Sequence, residues 1–257
     1  SIGVSDHSWP EDQVIRGAFY KVHGESRVIV RDVAVASKGT YDGYLSIWMG
    51  ADSNCWSDEY NAIAEIENSY AEISDISFDG RGKHSLHVYG GGLSTSVRQE
   101  DAETIVHYQG RAESIIKGNS EIIISGNETF SGLTDGVVYC GGGVMGENAS
   151  SRVGNVRLTL KNMDATGLKW GGGEISGQGW RQEYSTNTFD NIITSDYTDS
   201  VLGDSVLVLG NVKADMSSDT DKVTVKYFDE IQIANNTAVK LTTLDADVKR
   251  LTVTGAW

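Results

Sequence analysis

Tyr89-Gly90-Gly91-Gly92 is the first of three similar phrases in this chain, and Cys140-Gly141-Gly142-Gly143 and Trp170-Gly171-Gly172-Gly173 are the other two. Each phrase ends a short apolar run, and looser versions end at Gly50 and Gly210. Glycine adopts the backbone conformations that sharp corners require, and it lets neighbouring chain segments approach closely. A repeated strand followed by a glycine corner predicts a stacked β-coil. A dinucleotide-binding loop is not indicated, because it requires the spacing G-x-G-x-x-G between a strand and a helix.

Upstream of each triplet the chain repeats a strand, a polar turn and a second strand. The paired strands are expected at 68–78 with 85–89, at 119–127 with 137–140, and at 155–162 with 168–170. The triplets are unevenly spaced, so loops of different length are expected to leave a shared frame. We therefore predict one all-β solenoid domain over 1–257, with regular repeats at about 40–210 and a distal or capping part at about 211–257.

Alternation within the strands predicts which side chains face the interior, because residues two apart lie on one face of a strand. The two predicted inward columns are Met49, Tyr89, Cys140, Trp170 and Leu209, and Ile47, His87, Val138, Leu168 and Leu207. The predicted outward column is Trp48, Val88, Tyr139, Lys169 and Val208. Strands stacked at a spacing of about 4.8 Å would turn the outward column into a ladder that includes two partly exposed aromatic rings.

Composition agrees with a sheet-rich chain and excludes several function classes. There is 1 proline among 257 residues, and proline removes the hydrogen bonds that hold sheets together. The net charge of −15 repels phosphate groups, which argues against partners such as nucleic acids and anionic membranes. No apolar run is long enough for a transmembrane helix. The first residues do not resemble a signal peptide, so we expect either a mature chain or a piece excised from a longer one.

Two segments leave their secondary structure open. Residues 52–69 and 102–117 carry apolar side chains at helical spacing, which fits a short helix or an additional strand. The β-branched residues at 104–108 and 114–116 favour strands there. The two cysteines, Cys55 and Cys140, are too few for a disulfide framework or a zinc site, but a single bridge between them stays open.

The candidate metal site is a run of carboxylates on a turn, Asp215, Asp219 and Asp221. Calcium prefers six to eight oxygen ligands, and such a turn can supply some of them. The run lacks the order of an EF-hand, and a solvated loop is the alternative. Asp196, Asp199 and Asp204 form a similar group. Calcium is thus the one cofactor that the sequence leaves open.

An enzyme is the rival class. The acidic groupings that could act as acid and base are Asp75 with Asp79, and Asp52 with Asp58 and Glu59. Among 36 acidic residues such groupings arise by chance, and no nucleophile elbow or H-E-x-x-H motif is present. The basic residues that a lyase would need are concentrated only at Arg81, Lys83 and His84. The sequence therefore leans away from an enzyme.

Binding without turnover is the third class. The candidate ligand-binding residues are Trp48 and Tyr139 on the outward column, with Trp56 and Trp180 on loops. Aromatic rings at such positions can stack on sugar rings, although most aromatic residues pack in cores. A glycan or a protein on a host or bacterial surface is the expected partner.

The stretch Gly118-Asn119-Ser120-Glu121-Ile122-Ile123-Ile124-Ser125-Gly126, followed by Val138-Tyr139-Cys140 and its glycine triplet, carries a resemblance. Over residues 65–175 the chain resembles the glycine-triplet repeats of large bacterial surface proteins and autotransporter-like passenger domains. The resemblance implies a right-handed parallel β-helix with loop excursions, located outside the cell or on its surface. It also implies a role in adhesion or surface assembly. The C-terminal third departs from the triplet pattern.

Overall fold

A computed structural model shows an all-β protein, and it contains no helix in the residues that it describes. The described residues are 3–6, 18–35, 43–78, 84–101, 103–126, 135–164, 173–184, 192–216, 223–234, 236–241, 243–244 and 248–254. They form 22 strands, numbered along the chain as β1 to β22.

Three large sheets contain nearly all of these strands. Sheet 1 contains β1 Gly3–Asp6, β4 Asp52–Cys55, β7 Leu93–Thr95, β12 Gly143–Met145, β15 Gly179–Tyr184 and β16 Ile192–Tyr197. Sheet 2 contains β2 Ala18–Val35, β5 Ala62–Phe78, β10 Ala112–Ser125, β13 Ala149–Asp164, β17 Ser205–Met216, β19 Glu230–Ile233, β20 Ala238–Leu241 and β22 Arg250–Val253. Sheet 3 contains β3 Gly43–Trp48, β6 His84–Tyr89, β11 Asp135–Tyr139, β14 Gly173–Ser176, β18 Val223–Lys226 and β21 Thr243–Leu244. A separate hairpin pairs β8 Val97–Gln99 with β9 Ile105–His107.

The chain visits the three sheets in a fixed order, and we call one such visit a circuit. The strands β4, β5 and β6 form one circuit, and β12, β13 and β14 form another. Pairing within the three sheets is parallel, except that β16 runs antiparallel to β15. The prediction of an all-β fold with parallel sheets is therefore confirmed.

The two ambiguous segments are strands. Residues 52–69 hold β4 and the start of β5, and 102–117 hold β9 and the start of β10. The helical spacing in these segments was misleading, because short strands separated by turns can place apolar residues at similar intervals. The strands expected within 104–108 and 114–116 are confirmed.

The main apolar core lies between sheets 2 and 3. Its buried members come from the strands of these two sheets and from the segments between strands, and they include Met49, Ile73, Ile122, Leu158 and Val138. In sheet 1, Cys55, Val144 and Tyr197 belong to a second, smaller cluster with three alanines of sheet 2. The predicted inward positions Ile47, Met49, Val138, Cys140, Leu207 and Leu209 are buried as expected. Leu168, Lys169 and Trp170 lie outside the described residues.

The predicted alignment of the first triplet is wrong by one residue. Tyr89 pairs with Trp48 and Tyr139, so it stands in the outward column, while Val88 points into the core and is fully buried. His87 likewise faces outward, in register with Ser46 and Val137. The N–H of Gly90 donates to the carbonyl of Tyr139 at 2.7 Å, which places Gly90 opposite Cys140 and confirms the shift of register. A shift of one residue exchanges the two faces of a strand.

Two other predicted corners are also wrong. Gly173 begins β14 and pairs with Gly136, so the part of the third triplet that the structure describes lies in a strand. The corner of that circuit is Gly177-Gln178-Gly179, where Gly141 N donates to Gln178 O at 3.1 Å. Gly210 lies inside β17, which belongs to sheet 2. Leu207 and Leu209 are therefore inward residues of a different sheet from Met49.

A column of residues with positive φ bends the long strands of sheet 2. It consists of Asp32, Asp75, Gly126, Asn162, Asn211 and Asn236. The pairing registers around the first five place them side by side on successive strands. Aspartate and asparagine tolerate this left-handed conformation better than other residues with a side chain. At Gly126 a Cβ would lie 2.7 Å from Asp75 Oδ1, so glycine is required there.

Buried serines line the glycine corners and satisfy carbonyl groups in the interior. Ser151 Oγ donates to Gly92 O at 2.8 Å, and Ser120 Oγ donates to Gly90 O at 2.9 Å. Ser200 Oγ donates to Ser151 O at 3.1 Å. A buried carbonyl without a partner is costly, so these hydroxyls stabilise corners that are packed too closely for larger side chains.

Candidate functional site

A ladder of aromatic rings covers the outer face of sheet 3. Trp48, Tyr89 and Tyr139 occupy one register position on β3, β6 and β11. The rings of Trp48 and Tyr89 are stacked with centroids 3.6 Å apart, and those of Tyr89 and Tyr139 are stacked at 5.8 Å. Parallel pairing with identical register places the rings directly above one another. We call these three residues the aromatic ladder.

Trp180 joins the aromatic ladder from sheet 1. Its ring lies against Gly143, where a Cβ would come within 2.7 Å of the indole, and its centroid is 6.3 Å from that of Tyr89. Within the described structure its Nε1 is buried and has no hydrogen-bond partner. Three of the four predicted ligand-binding residues are therefore brought together around Tyr89, which the sequence had placed inside the core.

Trp56 is not part of the ladder. It follows β4, and the Arg98 guanidinium lies 5.0 Å from the centroid of its ring. Arg98 belongs to the β8–β9 hairpin, whose Val97 and Ile105 pack with Tyr184 in a small separate cluster. Trp56 thus contacts the β8–β9 hairpin and not the aromatic ladder.

Stacking limits what the ladder can bind. A sugar ring stacks on the face of an aromatic ring, and both faces of Tyr89 are covered by Trp48 and Tyr139. Trp48 lies on β3, the end strand of sheet 3, so no further described strand of that sheet lies beyond its second face. On the far side of Tyr139 the same register position is occupied by Ser176, which is fully buried. Trp48 is therefore the ring best placed to offer a free face.

A cluster of charges continues the same column past the ladder. Lys226 is in register with Ser176, and its Nζ lies 2.9 Å from Glu174 Oε2 and 2.7 Å from Asp196 Oδ1. Tyr227 donates its hydroxyl to Asp196 Oδ2 at 2.8 Å. The Lys226 side chain is only 12% exposed. We call Glu174, Asp196, Lys226 and Tyr227 the ion cluster.

The ion cluster holds strand β16 against sheet 3. Burial lowers the pKa of Lys226, but the hydrogen bonds to Asp196 and Glu174 outweigh burial, and the pKa lies above its ordinary value. A lysine that holds its proton this firmly is a poor general base at neutral pH. The ammonium group also occupies one oxygen of each carboxylate. The arrangement is thus suited to fixing β16 rather than to proton transfer, and the sequence did not indicate it because its members lie on strands far apart in the chain.

The predicted acid–base groupings are not assembled into a catalytic site within the described residues. Asp75 belongs to the positive-φ column and is exposed. Burial raises the pKa of Asp52. Asp58 accepts a hydrogen bond from Gln109 N at 2.9 Å. His84 is fully buried with its ring 5.5 Å from that of Phe78. Asp79, Arg81 and Lys83 lie outside the described residues.

The candidate calcium site lies mostly outside the described part of the chain. Asp219 and Asp221 are not described, and Asp215 is in β17 with its side chain undescribed. In the related group, Asp196 is committed to the ion cluster. Among the described residues no three His, Cys, Asp or Glu side chains are close enough to hold a metal ion. Calcium binding at 215–221 stays a prediction.

The two cysteines are separate. Both are buried and unbridged, so the possible Cys55–Cys140 disulfide is not formed. Cys55 Sγ donates to Tyr60 O at 3.0 Å, and burial raises the pKa of the Cys140 thiol well above its ordinary value. Cys140 therefore acts as a small buried apolar residue.

No protein-family model, no curated protein and no solved structure matches this chain. No helix long and apolar enough to cross a membrane occurs in the described residues.

Proposed function

We propose that this chain is a right-handed parallel β-solenoid, forming one domain of an exported bacterial protein and acting as an adhesive or structural segment at the cell surface. The observation that carries the proposal is the continuity of sheet 2, in which seven strands succeed one another in parallel from β2 to β22. A stack of this kind grows by adding circuits and presents long, regular outer faces. Such faces suit spacing and adhesion.

The composition of the outer face supports a scaffold over an enzyme. The ion cluster brings two carboxylates and a lysine together, and its hydrogen bonds are used to hold β16. A general acid or base needs a proton that moves near neutral pH, whereas Lys226 keeps its proton more firmly than an ordinary lysine. A polysaccharide lyase or hydrolase therefore has the weaker support.

Carbohydrate binding without turnover is a second candidate, and Trp48 is the observation that favours it. Its ring is stacked on Tyr89 at one face only, as the end member of the aromatic ladder. Stacking of a sugar on an aromatic face is favourable and requires no charge on the ligand. This suits a chain with net charge −15 that meets a neutral surface glycan.

The test is a glycan array probed with the chain, together with a panel of polysaccharides assayed for cleavage. Adhesion through Trp48 predicts binding that Trp48→Ala abolishes and that Trp56→Ala, outside the ladder, retains. Unsaturated products detected by ultraviolet absorbance would favour the lyase instead. If neither glycans nor surface proteins bind, adhesion is wrong and a spacer role is the better account. An export signal and an anchor in the full-length gene product would test the location.

A further inference from the structure

Among the described strands, β2 forms one end of sheet 2. It is the longest strand of the protein, with 18 residues, and it pairs through one edge with β5. No described strand pairs with its other edge. An open edge presents backbone N–H and C=O groups that can pair with another chain.

The core is also open beside β2. The inward residues Val22, Val28, Val30 and Val33 are only partly buried, whereas their register partners on β5, namely Ile66, Ala71, Ile73 and Ile76, are 2% exposed or less. On the outer face of β2, Phe19 is 64% exposed and Ile29 is 49% exposed. An apolar layer that lies open in this way gains free energy when a further strand covers it.

The central segment of β2 is complementary to itself when it is reversed. If two copies pair antiparallel about Val28, Glu25 of one copy lies opposite Arg31 of the other. Ser26 then lies opposite Val30, and Arg27 opposite Ile29. Between Glu25 and Arg31 the inward residues remain on the inner face and the outward residues on the outer face, because residues equally distant from Val28 have the same parity there. The positive-φ residues Gly24 and Asp32 bound this segment. Opposite charges that face each other across two strands are favourable.

Neighbouring registers lack this complementarity. Pairing about Arg27 places two guanidinium groups opposite each other on the axis, and pairing about Ile29 places Arg27 opposite Arg31. A register centred between two residues, such as between Arg27 and Val28, brings inward residues opposite outward ones, which mixes the two faces of the sheet. Among these adjacent registers, the one centred on Val28 alone joins opposite charges and keeps the inward residues of 25–31 on one face.

We propose that β2 is a docking surface for a second copy of this chain, paired antiparallel about a two-fold axis at Val28. The two copies then share one continuous sheet 2, and their apolar cores meet end to end. A two-fold axis makes the interface self-complementary, so it closes after two copies and does not propagate into a fibre. The proposal does not depend on adhesion or on any ligand.

Cysteine cross-linking tests the register directly. In the proposed pair, Ser26 of one copy faces Val30 of the other. The two Ser26 residues of the pair are offset by four residues along the strand, or about 13 Å, and so are the two Val30 residues, which is too far for a disulfide. Mixing the Ser26→Cys and Val30→Cys chains under oxidation should therefore give cross-linked dimers, whereas each variant alone should remain single chains. The native Cys55 and Cys140 are buried and do not compete. Cross-linking of either variant alone to the same extent as the mixture would overturn the register.

Sedimentation equilibrium tests the association itself. The unmodified chain should have the mass of two chains, and Arg31→Glu should shift it to one, because each Glu25 then meets a second carboxylate. Arg31 also pairs with Glu72 of its own chain at 2.7 Å, so Glu72→Gln is the matched control and should remain dimeric. Measurement in about 0.1 M and about 1 M NaCl screens the repulsion between two acidic copies. A single-chain mass in both salts, or dissociation by Glu72→Gln as complete as by Arg31→Glu, would refute the proposal.

Discussion

Replacing Gly142 by alanine tests whether the glycine corners are filled by the neighbouring strands. A Cβ on Gly142 would lie 1.9 Å from Ser151 Oγ and 2.3 Å from Gly92 O. Ordinary contacts to a Cβ lie beyond 3.4 Å, so both groups must move by more than about 1 Å in a tightly packed interior. Gly142 therefore cannot accept even the smallest side chain without a rearrangement.

The magnitude follows from three terms. Turning Ser151 away breaks its hydrogen bond to Gly92 O, which costs about 1 kcal/mol. Displacing the Gly92 backbone costs about 1–3 kcal/mol, as overpacking usually does. The reduced freedom of the unfolded chain returns about 0.4–1 kcal/mol. We expect Gly142→Ala to lower the free energy of unfolding by about 1–3.6 kcal/mol.

The matched control is Gly210→Ala. No heavy atom lies within 4 Å of a Cβ at Gly210, and its φ is not in the left-handed range. This substitution should raise the free energy of unfolding by about 0.4–1 kcal/mol. Urea denaturation followed by tryptophan fluorescence and circular dichroism measures both variants. Equal effects of the two substitutions, or a change below about 0.5 kcal/mol for Gly142→Ala, would refute the account of the corners.

Substitutions at three further positions test other parts of the structure. Lys226→Met should lower the free energy of unfolding by about 1–3 kcal/mol at pH 7, because it leaves two partly buried carboxylates without a cationic partner. The folded-state pKa of Lys226 is raised, so its stabilisation is complete below the ordinary value of 10.5 and is lost as the pH rises through the raised value. The free energies of unfolding of the unmodified chain and the variant should therefore converge in alkali. Asn211→Ala should lower the free energy of unfolding by about 1 kcal/mol and Asn211→Gly by much less, because φ is 56° at this position. Equal urea midpoints for the two variants would contradict this expectation. Hydrogen bonds from Arg250 and Thr252 lower the pKa of Glu230 to about 2, so its stabilisation is present above pH 4.5 and is lost as the pH falls toward 2. Glu230→Gln should therefore make the melting temperature depend less on pH in this acidic range. An unchanged pH dependence would exclude the pairing.

The sequence predicted the type of fold because its signals are local. The glycine triplets, the alternation of apolar residues and the scarcity of proline all act within a few residues of the chain. Burial of Ile47, Met49 and Val138 follows directly from that alternation. The error at Tyr89 arose because the triplets were aligned with each other. Hydrogen bonding instead aligns Gly90 with Cys140, and the sequence contains no local mark of that offset.

The candidate site was predicted only in part. Trp48 and Tyr139 were expected on one outward column, and they stand on it, with Tyr89 between them. Trp180 and the ion cluster joined them through contacts between different sheets. Such contacts depend on how a later circuit lies over an earlier one, which short stretches of sequence do not specify. The positive-φ column has a signal in the sequence, because Asp75, Gly126 and Asn162 follow similar strands in the aligned repeats.

The sequence by itself determined that this chain is all-β, where most strands lie and which face is buried in several of them, as at Ile47 and Val138. Those properties come from backbone preferences and from the alternation of apolar residues, both of which operate over a few residues. The tertiary structure alone decided the register of each strand against the next, since register depends on hydrogen bonds between residues tens of positions apart. That register stacks Tyr89 between Trp48 and Tyr139, and it places Lys226 where Glu174 and Asp196 can hold it.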